Sequence, residues 1–394
     1  MADSKRIAFV TPRYGTDVVG GSEAVMREAA HGLAARGYEV DVVTTCVRDH
    51  YTWANEYPAG EFEVDGVTVR RFPAVRSPRL TVWARLDQRL RLGLGLTLDE
   101  QFAWLNGHVR VPALFHHLLT HGDDYRAVVF SPYLFWTTAV VAPVVAERAI
   151  VVPCLHDEAT AYLDVFRPLL ASPAQVWFLS EPEHELAHRL GPLAADHRVV
   201  GSGVPVPEGY DPEGFRARHG LERPFVLYAG RREVLKGWND LLRAYTAAVT
   251  QLRIDLDLVT VGVGAVKPPT GLGRRVVDLG FLPEAEVPDA FAAAAAYVQP
   301  SPNESFSRTV MEAWLAGTPV IASAAGAVVR WHCERSGAGV IYRDDDELVE
   351  SLALVAEAPD RLAAIAARGR PYVLANYTWG AILDRMEEAL GAMP

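Results

Sequence analysis

The chain of 394 residues has few cysteines, no excess of positive charge and no long apolar runs. Cys46, Cys154 and Cys333 lie far apart with no CxxC pair, which excludes a zinc knuckle and argues against a disulfide-built secreted scaffold. No stretch of about 18 uninterrupted apolar residues occurs, so no membrane span is expected. Lys plus Arg number 38 against 49 Asp plus Glu, a formal net charge of −11, and binding to nucleic acid is not expected. Residues 1–6 do not lead a basic stretch into an apolar core, so no signal peptide is expected and a reducing cytoplasm is the expected compartment. No GxxxxGK[ST] is present, which leaves a P-loop NTPase without support. Gly201-Ser202-Gly203 and Gly262-Val263-Gly264 lack the third glycine of a dinucleotide fingerprint and do not follow the first strand. No cofactor is therefore expected.

What is present suits large cores: hydrophobic residues make up 50% of the chain and charged ones 22%. At about 150 residues per domain the length indicates two to three domains. Short apolar runs at 7–10, 40–44, 128–130, 150–155, 176–179 and 199–200 read as buried strands. Residues 22–35, 134–146 and 182–190 between them read as helices. After a Gly- and Pro-rich connection at 201–209 the alternation restarts. Strands are expected at 225–229, 256–261, 297–299, 320–322 and 340–342, and helices at 239–249, 287–296, 309–316 and 347–356. β then α then β is the pattern of a parallel sheet covered on both faces. The fold class is thus α/β, with two doubly wound domains in series.

Several motifs invite a metal or a surface reading. His184-Glu185-Leu186-Ala187-His188 matches HExxH, with Glu208 as a conceivable third ligand. Glu208 lies in the Gly/Pro connection, so a solvated helix is preferred and no metal is expected. Asp255-Leu256-Asp257 enters an apolar strand, and Asp344-Asp345-Asp346 reads as a helix start. Seven arginines between Arg70 and Arg91, interleaved with Leu80, Trp83, Leu86 and Leu90, make either a solvated helix or a surface for an anionic acceptor or an acidic lipid layer.

Four other segments carry the chemistry. Gly20-Gly21-Ser22-Glu23 stands between strand one and a helix, where glycine lets backbone approach a ligand. Leu155-His156-Asp157-Glu158 follows a buried strand, where ligands of open α/β sheets bind. Gly230-Arg231-Arg232-Glu233-Val234-Leu235-Lys236-Gly237 puts cations on a loop at a helix start, which suits a diphosphate. Glu304 and Glu312 bracket seven residues, Ser305 to Met311, with the amides of Ser307, Arg308, Thr309 and Val310 placed to cup a phosphate. Burying Glu312 among Met, Ala and Trp would be costly unless a ligand hydroxyl met it.

Together these segments resemble the retaining glycosyltransferases of family 4, the group 1 glycosyl transferases with the GT-B fold. The resemblance implies two Rossmann-like domains facing across a cleft: residues 1–203 on the acceptor side, 204–376 for the nucleotide sugar, and a last helix within 377–394 crossing back to the first domain. It implies transfer from a nucleoside diphosphate sugar to a hydroxyl of a glycan, lipid-linked glycan or small molecule, without a metal. A nucleotide-sugar epimerase or a glycan phosphorylase on the same scaffold, and a zinc hydrolase using residues 184–188, are the alternatives. By resemblance, Arg231 and Lys236 hold the diphosphate, Glu304 the transferred sugar and Glu312 the ribose, and His156 sits beside the anomeric carbon. Gly21 and Gly230 would line the donor, with Gly280, Phe281 and Leu282 near the base. Peripheral attachment at the inner face of a membrane through Arg70–Arg91 is compatible with this. The chain departs from the family where Ser305-Phe306-Ser307 replaces the frequent Gly-Phe-Gly, and at Arg308, where an aliphatic residue is usual.

Overall fold

The computed structural model describes residues 5–18 and 20–393. The chain divides into two compact units, Met1–Gly203 with Trp379–Pro394, and Val204–Thr378. Among the described residues no helix is long and apolar enough to cross a membrane.

The first unit is built on an eight-stranded sheet. In chain order its strands are β1 (Arg6–Val10), β2 (Glu39–Thr45), β3 (Gly60–Val64) and β4 (Val67–Phe72). After a two-stranded ribbon of β5 (Val75–Arg76) and β6 (Val109–Arg110) come β7 (Ala127–Phe130), β8 (Ala149–Val151), β9 (Gln175–Phe178) and β10 (Asp196–Val199). The spatial order is β10-β9-β8-β7-β1-β2-β4-β3. All neighbours are parallel except the β3–β4 hairpin, which the sequence reading missed. Val42, Val43, Val128, Ile150 and Val176 are fully buried, as strands covered on both faces require. The C-terminal helix Trp379–Gly391 belongs to this unit. Its Trp379 indole donates to Glu28 at 2.6 Å, and Arg36 reaches Asp384 at 2.7 Å. A Cβ on Gly32 would lie 2.7 Å from Leu383, so glycine allows that close packing.

The second unit carries β11 (Phe225–Ala229), β12 (Asp257–Val261), β13 (Val276–Asp278), β14 (Ala296–Gln299), β15 (Val320–Ser323) and β16 (Gly339–Tyr342). They form one parallel sheet in the order β13-β12-β11-β14-β15-β16. The order reverses between β11 and β14, and between β1 and β7 in the first unit. Such switch points open a crevice outside the carboxyl ends of the strands, where ligands of these sheets bind.

Several expected elements are shorter or different. The helix expected over 134–146 is one turn, Trp136–Ala139, followed by a 3₁₀ stretch, Ala142–Arg148, because Pro143 supplies no N–H to continue it. The strand expected over 150–155 stops at Val151, before Pro153 and a left-handed Cys154 (φ +54°). The helix expected over 287–296 ends at Ala293, and Ala296 already opens β14. The arginine-rich segment is not one helix: Arg70 and Arg71 lie on β4, and only Leu80–Arg91 is helical. Arg70 pairs with Glu61, Arg71 stacks on the Tyr57 ring at 4.5 Å, Arg89 meets Glu100 at 2.6 Å, and Arg91 meets Asp87 at 2.7 Å. Four of the seven arginines are thus engaged within the fold.

Candidate functional site

In the second unit the loops leaving β11 and β14 flank the switch point, and they meet. Lys236 ends a short 3₁₀ turn, Val234–Lys236, and its Nζ donates to Glu304 Oε1 and to the Asn303 carbonyl, each at 2.8 Å. Both side chains of the pair are largely buried, at 19% and 17% exposure. The next residue, Gly237, has φ +71°, and a Cβ there would sit 2.4 Å from the Pro300 carbonyl oxygen. Only glycine lets the two loops approach so closely while the helix Trp238–Gln251 begins.

Arg231 is partly exposed and pairs with Glu233 at 3.3 Å, while its carbonyl accepts from the Tyr228 hydroxyl at 2.6 Å. Arg232 behaves differently. It is 8% exposed and donates to Thr260 Oγ1 (3.1 Å), the Gly262 carbonyl (2.8 Å) and the Gly264 carbonyl (3.0 Å), and it pairs with Asp278. Burial pulls its pKa down, opposed by Asp278. Arg232 therefore fixes the loop after β12 and the end of β13 to the cationic loop. Sequence reasoning passed over it; the Arg231-Arg232 doublet was the only signal. The Gly262-Val263-Gly264 run is explained here too, since a Cβ on Gly262 would lie 2.2 Å from the Gly230 carbonyl oxygen.

The β14 loop leads into the helix Arg308–Leu315 through Ser307, a buried non-glycine residue at φ +67°. Gln299 holds its hydroxyl at 2.8 Å, and the Tyr297 hydroxyl donates to Thr309 at 2.8 Å. Tyr297 is fully buried. Burial raises its pKa well above the ordinary tyrosine value, and the nearby negative charges of Glu304 and Glu312 add to that rise. Burial likewise raises the Tyr228 pKa, which also feels Glu304, Arg232, Glu233 and Arg231. The structure thus gathers Arg231, Lys236, Glu304 and Glu312 around the ends of β11 and β14. Two expectations are corrected. Glu312 is half-buried rather than buried: the helix Arg308–Leu315 buries Val310, Met311, Ala313, Trp314 and Leu315 and leaves Glu312 partly open. The Val310 amide is not turned outward but donates to the Ser307 carbonyl at 3.2 Å. Near the expected base position, Phe281 is 63% exposed and Leu282 is buried, and the Gly280 carbonyl accepts the Gly262 amide at 2.7 Å.

In the first unit, Gly20 stands at the N-cap and Gly21 opens the helix Gly21–Ala35, and a Cβ on Gly20 would clash with the Glu23 carboxylate. Glu23 is buried in an ion pair with Arg13, so its charge is used within the loop. His156 is half-buried, five residues beyond β8. The preceding amide, of Leu155, donates to Glu183 Oε1 at 2.7 Å, and Leu179 donates to Glu183 Oε2 at 2.6 Å. Burial pushes the fully buried Glu183 carboxyl up to about 8, against the pull of these amides. Arg189 on the same helix, Glu181–Leu190, holds Asp157 at 3.1 Å.

The pattern of the family described as Glycosyl transferases group 1 matches residues 223–357. The chain is 27% identical over 406 residues to the D-inositol 3-phosphate glycosyltransferase of Mycolicibacterium paratuberculosis, covering 94% of this chain and 85% of the relative. It is 29% identical to the GDP-mannose-dependent alpha-mannosyltransferase of Mycolicibacterium smegmatis, covering 82% and 80%. The Anabaena HepE structure in complex with UDP-glucose superposes with a TM-score of 0.71 over 98% of this chain and 99% of that one, at 17% identity. Residues 223–357 thus carry the pattern of the group 1 glycosyl transferases, and nearly the whole chain is similar to proteins named as glycosyltransferases. The fold is GT-B, and the matched segment contains the two joined loops, from Arg231 through Glu312.

Proposed function

We propose that the protein transfers a sugar with retention from a nucleoside diphosphate sugar to an acceptor hydroxyl, and that its own cations serve the diphosphate in place of a metal. The observation that carries this reading is the Lys236–Glu304 contact, which ties the cationic loop to the carboxylate loop at the switch point of the second sheet. As the bond to the sugar breaks, charge grows on the departing diphosphate. Arg231 and Lys236, held in place before the donor arrives, stabilise that charge without reorganisation. Glu304 orients the sugar's hydroxyls and keeps the anomeric carbon in a reactive pose. Glu312 binds the ribose, and Phe281 offers an exposed ring to the base. In the family reading the leaving phosphate, on the same face of the sugar, takes the acceptor's proton, and His156 is the residue the resemblance sets beside the anomeric carbon.

Support for the donor class comes from the relatives, one of which is named for GDP-mannose, and from the HepE complex with UDP-glucose. For the acceptor, Arg76, Arg79 and Arg85 are exposed and suit a phosphorylated small molecule or an acidic lipid-linked glycan. The test is a screen of nucleoside diphosphate sugars by diphosphate release, in buffer containing EDTA, with the product's anomeric configuration read by NMR. Turnover of one donor with its anomeric configuration kept is the expected result. An inverted product, or turnover abolished by EDTA and restored by magnesium, would remove the retaining or the metal-free part of the reading.

A further inference from the structure

The HExxH helix, set aside on sequence, acquires a partner in the fold. His184 and His188 stand one turn apart on the helix Glu181–Leu190, and their Nε2 atoms are 3.1 Å from each other. The third ligating group comes from the same unit as the helix. It is His197, on the edge strand β10, against which this helix packs. One ring nitrogen from each of His184, His188 and His197 lies within 4.8 Å of the other two. Ring centroids are 4.6 Å apart for 184–188, 5.1 Å for 184–197 and 5.4 Å for 188–197. Among the described residues this is the one grouping of three metal-ligating side chains.

We propose that these three histidines form a binding site for a late divalent transition metal such as Zn²⁺, which clamps the helix Glu181–Leu190 to the edge strand β10. Imidazole suits zinc, cobalt, nickel and copper, and three histidines leave a fourth position to water. Bonds of about 2.0–2.1 Å in a tetrahedron put ligand nitrogens about 3.4 Å apart, so the 184–188 pair is already at chelating separation. His188 is exposed and swings at little cost. The outer contacts match those of metal-bound imidazoles. His197 Nδ1 lies 2.8 Å from the Ala194 carbonyl, which in a neutral ring places the proton on Nδ1 and the lone pair on Nε2. Glu181 Oε2 lies 3.7 Å from His184 Nδ1 on the side away from His188. The same helix carries Glu183 and Arg189, which hold Leu155 and Asp157 on either side of His156. A metal there stabilises the first unit and takes no part in sugar transfer.

The experiment uses full-length protein without a histidine tag, stripped with chelator, then titrated with ZnCl₂ by calorimetry and with Co²⁺ by visible absorption. One zinc per chain, a tetrahedral cobalt spectrum and a higher melting midpoint with excess zinc are expected. His188→Ala and His197→Ala should each weaken zinc at least about tenfold and abolish the cobalt band, while the metal-free variants melt near the parent and transfer sugar at the parent rate. No saturable binding would overturn the site. Binding lost in His188→Ala but undiminished in His197→Ala would also overturn it, since a two-histidine helix pair then suffices. If the metal-free His197→Ala melts well below the parent, His197→Gln replaces it, with the same readouts.

Discussion

Lys236 Nζ sits 2.8 Å from Glu304 Oε1 across 68 positions of sequence, and this contact joins the two loops that leave the strands on either side of the switch point. Both side chains are too buried to stand alone without cost, and neither is exposed enough to be screened away. The pair therefore aligns a cation and a carboxylate before any donor arrives. The proposed function assigns the cation to a phosphate and the carboxylate to a sugar.

Lys236→Ala removes a charged hydrogen bond and leaves Glu304 without its cation. Charged hydrogen bonds of about 1.5–3 kcal/mol correspond to losses of roughly tenfold to a hundredfold in nucleoside diphosphate affinity. Arg231→Ala should fall in the same range. Combining Lys236→Met with Glu304→Gln should give a coupling of about 1–3 kcal/mol in melting experiments. Unchanged diphosphate affinity in both alanine variants, by calorimetry on folded protein, would remove the phosphate assignment.

Of the two serines that stand where glycine is frequent in the family, only Ser307 adopts a left-handed backbone. That conformation costs a non-glycine residue about 1–2 kcal/mol, against about 1 kcal/mol contributed by the Gln299 hydrogen bond. Ser307→Gly trades one for the other and should shift stability by less than about 1 kcal/mol, with donor binding kept. Ser307→Val loses the bond and is worse suited to the same φ, so it should lose more than about 2 kcal/mol. Equal melting midpoints for the glycine and valine variants would contradict the observed backbone.

The strand cores were legible because runs such as Ile7–Val10 and Val128–Phe130 are apolar on both faces, as parallel strands covered on both sides require. The motif residues were legible because glycine, cation and carboxylate stood at strand ends, and Arg231, Lys236, Glu304 and Glu312 do gather there. What was not legible depends on tertiary contacts. Arg232 looks on sequence like its neighbour Arg231, and only the approach of Thr260, Gly262 and Asp278 makes it a buried brace. The β3–β4 hairpin turns at Asp65-Gly66, a dipeptide that was in plain view, but its alternating half-exposed pattern differs from the buried runs that defined the other strands. His197 was passed over because nothing in Asp196-His197-Arg198 says which helix lies over that strand.

Glu183 takes the amides of Leu155 and Leu179 on its two oxygens, inside the core. Glu183→Ala orphans both donors, at about 1–3 kcal/mol each, and should lower stability by about 2–6 kcal/mol in denaturant melts. Turnover per folded molecule should also fall, since Leu155 precedes His156. Glu183→Gln keeps one acceptor and should land between. An alanine variant as stable as the parent would mean that water replaces the carboxylate.

His332 is fully buried between Phe306 and Tyr377, with Nδ1 2.9 Å from the Tyr372 hydroxyl, and burial lowers its pKa to about 3. The unfolded chain takes up a proton near pH 6.5 that the native state refuses. The contribution is therefore complete above pH 6.5 and is lost as pH falls from 6.5 toward 3. At pH 5 this residue alone should cost about 2 kcal/mol relative to pH 7. Melts of the parent and His332→Gln at both pH values test this, because all other groups are common to the two. A parent and a variant that lose the same stability on acidification would refute it.

Glu304 and Glu312 flank the same buried Tyr297, yet their assigned partners differ, so their variants should separate. Glu312 is assigned to the ribose, which free nucleoside diphosphate and intact donor both carry. Glu312→Gln should weaken both ligands by a similar factor, roughly tenfold or more for one charged hydrogen bond. Glu304 is assigned to the sugar, which the free diphosphate lacks. Its bond to Lys236 complicates Glu304→Ala, because a released lysine is also a better phosphate ligand. Diphosphate affinity should therefore hold or rise in that variant while turnover collapses, since the sugar's pose is what the chemistry needs. If the two carboxylates served only the fold, activity would instead track the fraction of folded protein in both variants. Calorimetry with nucleoside diphosphate, thermal melts and initial rates on the same preparations distinguish the cases, and full transfer rates in Glu304→Ala would remove the central assignment.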